Sequence, residues 1–168
     1  MSKTPKGSKA AGPTTAATVA LTHAGISFTP HAYHHDESST DFGAEAASAL
    51  GIDGGRVFKT LMVDTDKGFA IGIVSVDSKL DVKALARAVG AKRAVMADAA
   101  VAERKSGYVV GGISPFGQKT RLPTVLDDRA LDFETIYVSG GRRGFDIEVT
   151  PADLVAALGA QIAVIRRT

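Results

Sequence analysis

Arg56–Val76, RVFKTLMVDTDKGFAIGIVSV, decides the fold. Two apolar, β-branched runs flank the turn Asp66-Lys67-Gly68, which predicts a β-hairpin and so an antiparallel pair in the sheet. In an extended chain alternate side chains share a face. Val57, Lys59, Leu61 and Val63 therefore lie together, with Phe58, Thr60, Met62 and Asp64 opposite. Lys59 interrupts a row of aliphatics. Either its stem lies on apolar surface at an edge with the ammonium in water, or it is a cation in the wall of an apolar pocket, able to hold a phosphate, a hydroxyl or a developing oxyanion. The strand alone leaves both readings open.

Outward from the hairpin, helix and strand signals alternate. Thr14–Gly25 is an alanine-rich helix candidate, and Phe28–His34 a strand that Pro30 places near an edge. Asp41 caps a helix over Phe42–Leu50 that stops at Gly51. Asp81 starts another, whose Val82, Leu85, Ala86 and Val89 form one apolar stripe closed by Gly90. Arg93–Ala97 reads as a strand, and Asp98 as the cap of a helix ending at Gly107. Tyr108–Gln118, YVVGGISPFGQ, reads as a short strand running into a glycine- and proline-punctuated loop. LPTVLDD is a strand, and ETIYVSGGRRGFDIEV a hairpin turning on Gly-Gly-Arg-Arg-Gly. Thr150 and Pro151 open a helix as N-cap and first residue, and QIAVIRR is a final strand. The pattern predicts one mixed α/β domain over residues 14–168, after a flexible basic tail over 1–13.

The bulk numbers agree with one globular unit. The chain has 168 residues, 45% hydrophobic and 23% charged, with a net charge of +2 and no cysteine. Disulfides, thiolate metal sites and a cysteine nucleophile are thereby excluded. Nucleic-acid affinity must come from local clusters, because the overall field is weak. No run is long enough to span a membrane, and the three lysines in MSKTPKGSKAAGP precede no apolar block of a signal peptide. His31, His34, His35, Asp36 and Glu37 count like a metal cluster, yet neighbouring residues on a strand face opposite ways. No metal and no cofactor are expected. Gly111–Gly117, GGISPFG, is either a plain turn or a nest of main-chain N–H donors. It is neither a P-loop nor a dinucleotide fingerprint. In the nest reading, a side chain at Gly112 costs activity more than stability. Arg104-Lys105, Lys119 with Arg121, Arg142-Arg143 and Arg166-Arg167 read singly as solvated patches. Gathered at a pocket mouth, they would take nucleic-acid phosphates.

In order along the chain, VFKTLMV, KLDVKALARAVGAKRAVMAD, GYVVGGISPFGQKTRLPTVLDD and ALDFETIYVSGGRRGFDIEVTPADL resemble the YbaK family of Cys-tRNA(Pro) deacylases. That family is related to the editing domain inserted in prolyl-tRNA synthetases. The resemblance spans about Thr14 to Leu158. It implies an α/β fold with a mixed, barrel-like sheet flanked by helices, and removal of cysteine mischarged on proline tRNA. It places the family's lysine at Lys59, beside Thr60, and the loop glycines at Gly111 and Gly112, next to Ile113 and Ser114. The pocket tyrosine falls on Tyr33, and the SGG/GxD pair on Ser139 and Asp146. Asp146 would meet either the substrate's α-ammonium or Lys59. Lys119, Arg121, Arg142 and Arg143 are candidates for tRNA contact. The implied partners are aminoacylated tRNA and, transiently, prolyl-tRNA synthetase, in the cytoplasm, with neither DNA nor membrane involved. The substrate's own thiol would attack the ester, which requires no protein nucleophile. Three readings compete: editing of Ala-tRNA(Pro) or another small aminoacyl-tRNA, a non-catalytic tRNA- or synthetase-binding module, and a small-molecule phosphate-binding domain.

Overall fold

The computed structural model describes residues 12–167. The hairpin forms as expected: strand β2 (Phe58–Thr65) pairs antiparallel with β3 (Gly68–Ser75), Thr65 opposite Gly68 and Phe58 opposite Ser75. It is the middle of a five-stranded sheet completed by β5 (Ala94–Met96), β6 (Thr124–Asp127) and β9 (Gln161–Ala163), in the order β5-β2-β3-β6-β9. The β3–β6 and β6–β9 pairs are parallel, so the sheet is mixed. A second sheet has the order β1-β8-β7, from β1 (Thr29–Ala32), β7 (Ile136–Arg142) and β8 (Phe145–Val149). Pro30 lies on an edge strand there, where its missing N–H breaks no ladder. A parallel bridge between Val57 and Tyr137 joins the two sheets. The barrel-like closure implied by the resemblance is not present, because β5 and β9 remain edges of the larger sheet.

Five α-helices among the described residues dress the sheets: α1 (Ala16–His23), α2 (Phe42–Leu50), α3 (Val82–Ala88), α4 (Ala99–Ser106) and α5 (Pro151–Leu158). Their starts follow local chemistry. Thr15 and Thr18 form a reciprocal capping box on α1, while Asp41, Asp81 and Thr150 each accept an N–H in the first turn of α2, α3 and α5. Asp98 stands at the N-cap of α4 without making a side-chain cap. Left-handed glycines at 51, 107 and 159 end α2, α4 and α5, a conformation other residues resist.

The period-2 pattern of β2 divides the core. Phe58 and Met62 join Ile73, Leu126, Ile136, Phe145, Ile147 and Leu154 in one cluster. Val63 joins Val74, Leu85, Val125 and Ile165 in another, with Leu61 packed against it. Tyr108–Val110 forms no strand, and Gly107–Val110 lead from α4 into the glycine loop as irregular chain. The run QIAVIRR is not one strand but two, β9 and β10 (Arg166–Arg167), the latter pairing with β4 (Lys79–Leu80). The break is held by Asp127, fully buried, which accepts the N–H of Ile165 (2.9 Å) and Arg166 (3.1 Å). The Arg166 guanidinium closes the same clamp on Asp127 (2.8 Å) and Asp128 (2.6 Å). Arg166 is therefore a structural ion-pair partner, not part of a basic pocket mouth. No helix among the described residues is long and apolar enough to cross a membrane.

Candidate active site

Strand β5 pairs with β2 only from Val63 to Thr65. The first half of β2 consequently keeps an open edge, and the chain around it encloses a cavity of about 590 Å³. Strand β2 contributes Lys59 and Thr60 to its wall, α2 contributes Phe42, and the glycine loop Gly111 and Ile113. Tyr33, Ser139 and Asp146 complete it from the smaller sheet and the segment after β1. Seven of the residues expected from the sequence thus meet in one place.

Lys59 is half-buried, and among the described residues no carboxylate lies within ion-pairing distance of it. Burial lowers its pKa below the ordinary lysine value, with Lys79 adding to the effect and Asp41 and Asp77 opposing it. A desolvated cation without a counter-ion has its attraction available for a ligand. Asp146 is not its partner: the carboxyl sits on β8 opposite Ser139 of β7 and His31 of β1, only 5% exposed. Burial pushes the Asp146 carboxyl up to about 7. Its neighbour Tyr33 is raised well above the usual phenol value by burial, then by the charges of Asp146 and Glu45. The hydroxyl of Thr60 is buried with no partner among the described residues. An orphaned donor of this kind normally costs stability unless something binds it.

The glycine loop is tied down at several points. Val110 N–H donates to Glu103 (2.8 Å), and Arg143 Nε donates to the Val110 carbonyl (2.8 Å). Gly112 N–H closes a turn onto Val109 (2.8 Å). The N–H groups of Gly111, Ile113, Ser114 and Gly117 have no acceptor among the described residues, and of these four residues only Gly111 and Ile113 line the cavity, so these two are the donors a ligand there can use. Gly111 has φ +90°, and a Cβ there would stand 2.7 Å from the Phe42 ring. Gly112 is required for packing: a Cβ would fall 2.7 Å from Arg142 Cα and 2.9 Å from Arg143 N. The expectation that a side chain at Gly112 costs activity more than stability is corrected accordingly. Gly112→Val should lose stability and activity together, by about 1–3 kcal/mol or more, because backbone on both sides must move. A urea melt beside the activity assay checks this, and a wild-type midpoint would contradict the packing argument.

Other expected residues lie off the cavity. Ser114 is fully buried, its hydroxyl accepting Phe116 N–H (3.2 Å) and its carbonyl taking the Gln118 amide (3.0 Å). Arg121 lines a separate hollow of about 240 Å³ and donates to Leu158 at the end of α5 (3.3 Å). Lys119 is held by its backbone at the end of α4. Arg142 and Arg143 are exposed on the β7–β8 turn beside the loop. His31 and His35 contact different carboxylates, Glu148 (2.9 Å) and Glu45 (2.7 Å). No group of three His, Asp or Glu side chains converges among the described residues. Phe42 was not singled out from the sequence. Its signal was present, an aromatic opening a helix built mostly of small residues, FGAEAASAL.

A cation without a counter-ion and unused main-chain donors around an open sheet edge are the chemistry that can bind and polarise an oxygen-rich ligand. Residues 37–157 match the family model of the aminoacyl-tRNA editing domain, and the chain belongs to that family. Over 118 residues it is 38% identical to "Putative Cys-tRNA(Pro)/Cys-tRNA(Cys) deacylase EbsC" of Enterococcus faecalis, covering 70% of this chain and 72% of that protein. A solved structure described as "a putative trans-editing enzyme for prolyl tRNA synthetase" superposes with a TM-score of 0.81. It is 28% identical, over 94% of this chain and 100% of that one.

Proposed function

We propose that the protein is a trans-editing deacylase that removes cysteine from Cys-tRNA(Pro). The observation that carries the reading is the cavity at the open β2 edge, which brings Lys59 together with the free N–H groups of Gly111 and Ile113. Lys59 receives ribose and phosphate oxygens of the terminal adenosine. The two N–H groups polarise the ester carbonyl and hold the negative charge that grows on its oxygen. Asp146, away from Lys59, meets the α-ammonium of the aminoacyl group, and Thr60 supplies a hydroxyl to the same pocket. Tyr33 and Ser139 shape the wall beside Asp146.

The bond-making group is the substrate's thiol. Its sulfur attacks the carbonyl carbon, a C–S bond forms, and the ester C–O bond breaks. The thiol proton ends on the ribose oxygen, so the tRNA leaves with its hydroxyl restored. Water later opens the cyclic thioester to free cysteine. The enzyme's part is orientation and charge stabilisation, and neither a resident metal nor a protein nucleophile enters the scheme. Such a substrate places the protein in the cytoplasm, acting after prolyl-tRNA synthetase and meeting it transiently.

The test compares Cys-tRNA(Pro) with Ser-tRNA(Pro), which differ at one atom. A thiol with a pKa of about 8.5 is partly ionised at neutral pH, whereas a hydroxyl is not. The cysteinyl ester should react faster by more than the roughly 100-fold that a pocket achieves against an isostere, and a trap should capture the thioester. Comparable rates, with no trapped thioester, would establish water as the nucleophile. Preferential cleavage of Ala-tRNA(Pro) would reassign the substrate.

A further inference from the structure

Tyr33 belongs to two cavities at once. It lines the site just described and also a second hollow of about 540 Å³, bounded among others by His34, Val109, Arg142, Arg143 and Glu37. The volume lies in the range of small-ligand sites. Its chemistry is one-sided. Arg142 and Arg143 are exposed, and among the described residues neither is within ion-pairing distance of a carboxylate. Glu37 is the one acid on the wall. Arg143 is also fixed in place, with Nε on the Val110 carbonyl (2.8 Å) and the guanidinium 4.8 Å from the centre of the Phe42 ring. Its terminal amino groups have no protein acceptor among the described residues. A pre-oriented guanidinium with free N–H groups is a phosphate receptor that has already lost its rotamer freedom. Val109, 51% exposed, and the exposed imidazole of His34 give a partly apolar surface beside it.

We propose that this hollow holds the nucleotide on the 5′ side of the terminal adenosine, with its phosphate on Arg142 and Arg143 and its base against Val109 and His34. The assignment rests on the deacylase reading, because the terminal adenosine must already occupy the Lys59 cavity. The wall shared at Tyr33 sets the direction: a chain leaving one cavity for the other passes this residue. Arg143 further joins the two, since the group that takes the phosphate also holds the carbonyl of Val110, immediately before Gly111.

The experiment is an NMR titration of the full chain with adenosine, with the dinucleotide CpA and with inorganic phosphate, run beside deacylation of Cys-tRNA(Pro). CpA should bind about tenfold more tightly than adenosine and shift Val109, His34 and the β7–β8 turn. Its log Kd should rise with log salt by about 0.7 more than adenosine's, the slope of one added phosphate contact on a single strand. Arg142→Gln should erase most of the CpA advantage, and inorganic phosphate alone should leave these signals in place. CpA binding no better than adenosine, or an advantage that survives Arg142→Gln, would overturn the assignment even if deacylation proceeds. A protein that cleaves no charged tRNA and yet prefers CpA in this way would overturn the deacylase reading and retain the hollow.

Discussion

Lys59→Ala should lower single-turnover deacylation of Cys-tRNA(Pro) by about 100-fold or more while the protein melts within a few degrees of wild type. The size follows from removing one pre-placed charge from a partly desolvated site, where such groups contribute most. The small effect on the fold follows from what Lys59 does not do. It makes no ion pair among the described residues, and burial already disfavours its charged form. Lys59→Met, which keeps an unbranched apolar stem and removes only the ammonium, separates charge from packing. It should be as inactive as the alanine variant and at least as stable as wild type. Full turnover in a folded Lys59→Met protein would show that the cation is an edge residue whose ammonium merely reaches water.

Asp146→Asn should show the opposite signs in two assays: a large loss of activity and a gain in stability above neutral pH. The carboxyl is held up to about 7 by burial, against about 4 in an unfolded chain. Between those values the folded protein keeps a proton that the unfolded chain has lost, so wild-type stability falls as pH rises through the window. Asparagine has no proton to lose. Its advantage should be absent near pH 4 and complete above pH 7, worth a few kcal/mol on the scale of about 1.4 kcal/mol per pKa unit. Wild-type kcat/KM should rise through about pH 7 as the carboxylate proposed to meet the α-ammonium forms. Thermal melts of both proteins from pH 4 to 8 settle the first point. An Asn variant whose Tm tracks wild type across that range would show that the carboxyl is not perturbed.

Local chemistry was readable and distant contact was not. The β2–β3 hairpin, the caps at Asp41, Asp81 and Thr150, and the glycine stops at 51, 107 and 159 are short-range events, each written within a few residues. The convergence of Lys59, Gly111, Ser139 and Asp146 came from the resemblance, because no periodicity relates residues so far apart. What failed was set by tertiary partners. QIAVIRR looks uniform, but Asp127 draws the N–H groups of Ile165 and Arg166 away from a single ladder. Ser114 resembles a loop hydroxyl offered to a ligand, and the interior takes it for Phe116 N–H. Gly112 looked like a donor because a glycine pair suggests a nest, yet the backbone of Arg142 is what excludes a side chain there.

The donors assigned to the ester carbonyl, Gly111 N–H and Ile113 N–H, belong to the main chain. Point mutation replaces side chains and leaves every peptide N–H in place unless proline is introduced. Short of proline, these two groups can be blocked or displaced but not deleted, whereas the surrounding wall, Phe42, Tyr33, Ile113 and Thr60, is open to side-chain change. Heritable variation therefore falls unequally on the two halves of the site. A lineage can explore new acyl groups by resizing the wall without first losing its means of stabilising an oxyanion. Gene duplicates of this chain should accordingly diverge in which ester they accept sooner than in how they cleave it.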